Sequence, residues 1–132
     1  MNYENLFGLI LDLGRDLIRC GGETHRVEDT IYRLAEGYHF RDCSIWVVPT
    51  LIQATFTDPD GVVLTQIRNV KGSSLDFNAL DRLNALSRWA CAEQPNAEEF
   101  DVRLFRKTVE GIDVNPGGKL TYLFKAGIRI TV

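Results

Sequence analysis

The chain has 132 residues, of which 45% are hydrophobic and 25% charged, and this is the composition of an ordinary folded domain. At this length, we expect one compact core rather than two. A formal net charge of −3 without clustered Lys or Arg argues against a surface for nucleic-acid phosphates. Cys20, Cys43 and Cys91 are too widely separated to predict a disulfide framework or a zinc site, so we expect a reducing compartment.

Two amphipathic helices are predicted at the start of the chain. Apolar residues recur at helical spacing over residues 3–20, and Gly21 and Gly22 are of the type that closes a helix in a left-handed conformation. Thr24 is predicted to cap the second helix. The apolar stripe of that helix consists of Val27, Ile31, Leu34, Ala35 and Tyr38. The two helices therefore meet at a short glycine corner.

Beyond the second helix, the pattern changes to runs of β-branched and aromatic residues. Three strands are predicted, over residues 45–48, 51–57 and 62–68. Pro49 separates the first strand from the second or marks a sheet edge. The sequence Asp-Pro-Asp-Gly at residues 58–61 is typical of a turn, so the second and third strands should form an antiparallel hairpin.

Helical spacing returns after the third strand. We predict a third helix over residues 77–93, with Asp76 as its cap. Asn96 is followed three positions later by Glu, which is typical of the start of a fourth helix. That helix has Phe100 and Leu104 on its apolar side and should end at Asn-Pro-Gly-Gly, residues 115–118.

The order α-α-β-β-β-α-α keeps the strands together, which predicts an α+β fold with a mainly antiparallel three-stranded sheet. We expect residues 1–118 to form a soluble α+β domain, with Trp46 and Trp89 in its core. Residues 119–132 turn apolar. We interpret them as a C-terminal segment, the start of a membrane region that is cut short, because a complete span needs about 20 apolar residues.

The densest group of polar residues lies at the corner between the first two helices. Arg26 offers a forked donor that can hold a carboxylate at two points. The free amides of a helix that starts near Thr24 also favour an anion. We therefore predict a substrate-binding or gating site. Its candidate residues are Glu23, Thr24, His25, Arg26, Glu28 and Asp29.

Other interpretations of this corner stay open. Acidic residues early in a helix complement its dipole, and Arg26 can pair with Glu23 or with another element, which would make the group purely structural. A metal site needs three or four ligands, so we expect neither a metal nor a cofactor. Thr24 and Cys20 lie near His25, which keeps a small-molecule amide or peptide hydrolase as an alternative, but we nominate no catalytic residue.

Four segments resemble the threonine/serine exporter family. Residues 22–30, Gly-Glu-Thr-His-Arg-Val-Glu-Asp-Thr, resemble the Gly-Ala-Glu-Thr-x-Arg-Val-Glu-Asp signature of its N-terminal domains, with Gly22 in place of a usual Ala and His25 in place of an aromatic residue. Residues 48–52 resemble its Pro-Thr strand junction, and residues 65–70 resemble its Thr-x-x-Arg strand. Leu75, Asp76 and Leu80 match the start of its third helix, and all four segments stand in the family's order.

The resemblance implies the cytoplasmic N-terminal domain of a transporter that exports small polar metabolites, either amino acids such as threonine and serine or dicarboxylates. The implied partner is a membrane-embedded region, in the same chain or in a separate subunit, at the cell inner membrane. Gating, substrate capture or assembly would be the role of the domain, and a homo-oligomer is compatible with each. Arg68 would join the polar corner only if its strand passes close by. A purely structural interaction module is the remaining alternative.

Overall fold

The computed structural model describes residues 2–114, 120–124 and 129–131. The predicted α+β class and the order α-α-β-β-β-α-α are confirmed. These elements are α1 (Tyr3–Arg19), α2 (Thr24–Gly37), β1 (Arg41–Val48), β2 (Leu51–Thr57), β3 (Val63–Asn69), α3 (Phe77–Glu93) and α4 (Ala97–Thr108). They are followed by β4 (Val109–Val114), β5 (Leu120–Phe124) and β6 (Arg129–Thr131).

The first helix is the centre of the fold. Ten of the 17 residues of α1 are buried, because its apolar side chains form one broad face of the helix. It contacts α2, α3 and α4 as well as β2 and β3, while α2 contacts β1. The helices α1 and α2 therefore form a middle layer between the β1–β3 sheet and the α3–α4 pair. At one end of this core Phe7 meets Phe56 edge-on, with ring centroids 4.5 Å apart.

The sheet has the order β1-β2-β3 and is antiparallel throughout, as predicted for the second and third strands. Side chains alternate across it, and Ile52, Ala54 and Phe56 of the central strand are buried against the helices. The same alternation buries Val47 and directs Trp46 outward, so Trp46 is 65% exposed. The assignment of Trp46 to the core was therefore wrong.

Trp89 fits the core assignment better. It is partly buried and packs against the core cluster. The guanidinium carbon of Arg103 lies 4.4 Å from the centroid of the Trp89 ring, a cation–π contact between α3 and α4.

The caps of the helices follow the sequence with one exception. The Asp76 carboxylate accepts a hydrogen bond from the amide of Ala79, and the Asn96 side chain accepts one from the amide of Glu99, as predicted. Glu23, rather than Thr24, is the N-cap of α2, and its side chain makes no capping hydrogen bond. The helix begins one residue earlier than predicted because the Glu23 carbonyl already accepts a hydrogen bond from the amide of Val27.

The fourth helix is shorter than predicted. It ends at Thr108, because the β-branched residues Val109, Ile112 and Val114 that follow favour a strand over a helix. The strand β4 pairs with β5, and β5 pairs with β6, both antiparallel. Residues 115–118, the predicted end of α4, lie outside the described residues.

The apolar segment 119–132 contains β5 and β6 in its described parts. None of the described helices is long and apolar enough to cross a membrane. That this segment begins a membrane region stays a prediction.

Candidate functional site: a groove at the helix corner

An open groove of about 590 Å³ lies at the corner between α1 and α2. We call it the corner groove. One wall is the corner itself, and the other is built by the β1–β2 turn and the loop before α3. Its lining residues are Ile18, Gly21, Gly22, Glu23, Thr24, His25, Pro49, Ser73, Ser74 and Leu75. Glycine, hydroxyl and carboxylate groups therefore face a common space.

Backbone hydrogen bonds hold the two walls together. The amide of Ser74 donates to the carbonyl of Arg19 at 3.0 Å, and the amide of Asp76 donates to the carbonyl of Cys20 at 3.2 Å. These contacts satisfy carbonyls at the end of α1 that have no partner within the helix. The same end turns through Gly21, whose φ of +100° is a conformation that other residues rarely adopt.

Gly21 is also required by the packing of the walls. A Cβ atom at this position would lie 2.7 Å from Cδ1 of Leu75, closer than two carbon atoms can approach. The glycine therefore closes α1 and at the same time lets the loop before α3 approach the corner.

The start of α2 places the positive end of a helix dipole at the groove. Three properties combine here: Glu23 makes no side-chain cap, the first turn carries no acidic residue, and the groove lies against Glu23, Thr24 and His25. The first amides of a helix point outward and form the positive end of its dipole. This end of the groove can therefore accept a carboxylate or another small anion.

Glu23 and His25 supply the titratable groups of the groove. Nε2 of His25 lies 3.5 Å from Oε2 of Glu23, and both side chains are largely exposed. A negative group and a hydrogen-bonding ring thus stand beside the positive helix end, which suits a ligand that carries both a carboxylate and an ammonium group.

Three of the predicted site residues are not part of the lining. Arg26, Glu28 and Asp29 continue along α2, where an advance of about 100° per residue spreads them around the helix while Val27 and Thr30 turn inward. Within the described part of the chain, Arg26 forms no ion pair, so the proposed pairing of Arg26 with Glu23 is not observed. A cation early in a helix opposes the helix dipole, so Arg26 is not placed there to stabilise α2.

Arg68 belongs to a different cluster. Its Nε donates to Oδ1 of Asp12 at 2.7 Å, and its Nη2 donates to Oε1 of Gln66 and to the carbonyl of Gly8. A Cβ atom at Gly8 would lie 3.1 Å from Nη2, so the glycine makes room for the guanidinium. Because Arg68 is committed to α1 in this way, it does not join Glu23 and its neighbours.

Comparison with known proteins identifies the family of this chain. The family model ThrE, described as "Putative threonine/serine exporter", matches residues 8–111, which extend from α1 into β4. The chain belongs to the threonine/serine exporter family. No curated protein and no solved structure matches it significantly. Membership gives the chain a role in exporter-type transport of amino acids, within a parent protein that is associated with a membrane.

Three of the four segments that carry the resemblance to the exporter family converge on the corner groove. The first supplies Glu23, Thr24 and His25, the second supplies Pro49, and the segment before α3 supplies Leu75. His25, Pro49 and Leu75 are each more than twenty positions from the next in the sequence, and the β1–β2 turn and the α1–α2 corner bring them together. The fourth segment, with Arg68, instead fixes β3 to α1.

Sequence reasoning missed Ser73 and Ser74 as groove residues. They stand in a loop without periodicity, and nothing in their local sequence distinguishes them from ordinary surface serines. Their only signal is proximity to Leu75 and Asp76, which carry part of the exporter resemblance. Among the described residues, no group of three or more His, Cys, Asp or Glu is placed to hold a metal ion.

The thiols of Cys43 and Cys91 do not have the lowered pKa of a catalytic nucleophile. Burial raises the pKa of the Cys43 thiol, and the nearby Glu36 and Asp42 raise it further. Burial is also the main cause of the raised pKa of the Cys91 thiol. A raised pKa leaves less of the nucleophilic thiolate at neutral pH.

Proposed function

We propose that this chain is the cytoplasmic N-terminal domain of a threonine/serine exporter and that the corner groove binds the metabolite to be exported. The observation that supports this most is the convergence of three exporter-family segments on one groove at a helix N-terminus. The domain would act by substrate capture or gating. A membrane-embedded region, in the same chain or in another subunit at the inner membrane, would provide the conduit.

The chemistry of the groove suits a small amino acid. Its carboxylate would lie against the first amides of α2, where the helix dipole is positive. Its ammonium group would lie near the carboxylate of Glu23, and the side-chain hydroxyl of threonine or serine would find partners in Ser73 and Ser74. A dicarboxylate would occupy the same positive end but would meet repulsion from Glu23.

Arg26, Glu28 and Asp29 would act next to the groove rather than in it. They extend from its positive end along the exposed sides of α2. Arg26 has its guanidinium free of ion pairs in the described structure and can steer a carboxylate towards the groove. We propose that these three residues contribute to gating or to contact with the membrane-embedded partner.

Binding can be tested on the chain itself by thermal unfolding with millimolar threonine, serine or succinate. A ligand that binds only the folded state must raise the Tm. We expect a shift with threonine and serine that Glu23→Gln reduces. Glu36→Gln, an exposed glutamate near the other end of α2, is the matched control and should leave the shift intact. No shift with any of the three compounds would count against a binding role.

Efflux by the full transporter tests the same proposal in cells. Arg26→Ala should lower efflux severalfold at unchanged protein level, because the residue forms no ion pair whose loss would unfold the domain. Arg33→Ala, another exposed arginine of α2, serves as the control. Normal efflux in the Arg26→Ala variant would show that Arg26 does not take part in export.

A further inference from the structure

The corner groove has an apolar part as well as a polar one. Its larger hydrocarbon side chains come from three places in the fold: Ile18 from α1, Pro49 from the β1–β2 turn and Leu75 from the loop before α3. Ile18 is 5% exposed and belongs to the core, whereas Pro49 is exposed and Leu75 is 68% exposed. Leu75 therefore offers the groove a large and accessible hydrocarbon surface.

The backbone on both sides of Leu75 is fixed to the end of α1. The amide of Ser74 donates to the carbonyl of Arg19, and the amide of Asp76 donates to the carbonyl of Cys20. Exposure of a single leucine is ordinary in itself, but exposed loop residues are seldom held so closely. The attachments leave the backbone of Leu75 little freedom to move away from the corner.

The loop that carries Leu75 is also fixed where it begins. The amide of Val70 donates to the carbonyl of Thr50 in the β1–β2 turn at 2.9 Å. Between its two attachments the loop turns at Gly72, whose φ is +68°. The segments that carry Pro49 and Leu75 are thus joined before any ligand arrives, so binding does not have to order them.

The side chain of Leu75 is seated against Gly21. Its Cδ1 atom lies 2.7 Å from the position that a Cβ atom of Gly21 would occupy, so the glycine provides the space that this methyl group fills. A leucine with one branch held in this way has few rotamers left. Leu75 is therefore an accessible apolar group at a defined place in the groove.

Hydroxyl groups stand next to this apolar group. Ser73 and Ser74 directly precede Leu75 and also line the groove. The side chain of threonine carries a hydroxyl and a methyl on the same carbon, and it needs a hydrogen-bonding partner for one and an apolar neighbour for the other. Serine has the hydroxyl without the methyl. The loop before α3 offers partners for both groups.

We propose that Leu75 is a specificity-determining residue that distinguishes threonine from serine in the corner groove by covering the methyl group of threonine. This inference rests on the proposed function, because it requires that the groove binds the amino acid to be exported. Bound serine would leave the accessible surface of Leu75 in contact with water. The methyl group of bound threonine would remove part of that surface from water, which favours threonine.

The openness of the groove sets the size of this preference. A closed pocket that reads one additional methylene discriminates by about tenfold or more. In the corner groove one side of the ligand stays in water, so we expect threonine to bind about fourfold more tightly than serine, which corresponds to about 0.8 kcal/mol.

Isothermal titration calorimetry of the 132-residue chain with threonine and with serine measures the two Kd values and their ratio. The ratio of the serine Kd to the threonine Kd should be about four in the parent protein and about one in Leu75→Ala. Leu75→Met keeps an apolar side chain of similar volume and should retain the preference. An unchanged Tm would show that each variant is folded.

Phe77→Ala is the matched control. Phe77 is 66% exposed, lies two positions after Leu75 and is not part of the groove lining. Its substitution should leave both Kd values as they are in the parent protein. If Phe77→Ala lowers the ratio as much as Leu75→Ala does, the preference is assigned to the wrong residue.

The ratio separates contact with the ligand from support of the loop. If Leu75→Ala weakens both amino acids equally, Leu75 only holds the loop in place and the inference is wrong. Equal Kd values in the parent protein, or an undiminished ratio in Leu75→Ala, would also overturn it while leaving the proposed function intact. If neither amino acid binds, the proposed function itself fails, and this inference fails with it.

Discussion

Asp16 is the most perturbed carboxylate among the described residues. Its side chain is only 13% exposed, and Nε of Arg15 lies 3.6 Å from its Oδ1. Burial raises the pKa of Asp16 above its usual value of 3.8, and the positive charges of Arg15 and Arg19 oppose that rise without cancelling it. Nε of Arg15 is itself buried and has no hydrogen bond in the described structure. The charged form of Asp16 is therefore held at a net cost.

This cost predicts a specific dependence of stability on pH. Since the folded-state pKa of Asp16 lies above the unfolded value, the folded protein binds this proton more tightly. The contribution of Asp16 to the free energy of unfolding therefore falls as pH rises from about 3.8 through the folded pKa, and it is constant above that. Asp16→Asn removes the ionisation, so the variant should gain stability relative to the parent across this window.

Urea unfolding of both proteins from about pH 4 to about pH 8, in steps of about one pH unit, measures the difference in their free energies of unfolding. Asp29→Asn, at an exposed position on α2, is the control and should show no comparable trend. A difference between Asp16→Asn and the parent that does not change with pH would contradict the assignment of the raised pKa to this residue.

Between α1 and its neighbours, close contact depends on Gly14. A Cβ atom there would lie 2.8 Å from Cδ1 of Ile31 on α2 and 3.4 Å from Cδ1 of Ile52 on β2. Both isoleucines are fully buried, so neither can move aside freely. The small residue thus sets the distance between three elements at once.

Gly14→Ala should therefore lower the free energy of unfolding by about 1–2 kcal/mol, because overpacking costs more than the gain of about 1 kcal/mol in helix propensity. Ile31→Val removes the clashing Cδ1 and alone costs about 1 kcal/mol. The double variant should be less destabilised than the sum of the two, as measured by urea unfolding in a double-mutant cycle. Additive effects would show that the two side chains do not compete for the same space.

The order of the elements could be predicted from the sequence because it rests on local signals. Caps such as Asp76 and Asn96, the apolar stripe of α2 and the turn at residues 58–61 each act over a few neighbouring residues. The predicted end of α4 was wrong because neither Thr108 nor Val109 is a residue that terminates a helix by itself. The preference for a strand appears only over the whole of β4.

The candidate site could be predicted only in part. Glu23, Thr24 and His25 were found because they stand at a helix start, which is a local feature. Ser73, Ser74 and Pro49 come from distant segments, and only the folded sheet and corner bring them near. Trp46 was misassigned for a related reason, because alternation within β1 does not say which side of the sheet is covered.

All layers of the described α+β body meet at α1, and this bears on how the whole molecule unfolds. The α3–α4 pair and the sheet have no extensive contact with each other and are joined through α1 and α2. Loss of α1 would therefore expose both outer layers together, which favours a single cooperative transition.

Two single-tryptophan variants can test this cooperativity. Trp89→Phe leaves Trp46 to report on the sheet, and Trp46→Phe leaves Trp89 to report on α3. We expect the urea transition followed by fluorescence to coincide with that followed by circular dichroism within each variant. Fluorescence and circular dichroism midpoints that differ within one variant would show that a layer unfolds independently.

The way in which the loop before α3 is fastened to the end of α1 has a consequence for evolution. Main-chain groups of residues 19, 20, 74 and 76 make that attachment, so apart from the requirement for Gly21 it does not depend on which side chains line the corner groove. Substitutions at those side chains can accumulate without displacing the backbone that carries them. Relatives with the same scaffold could thus diverge in what they recognise.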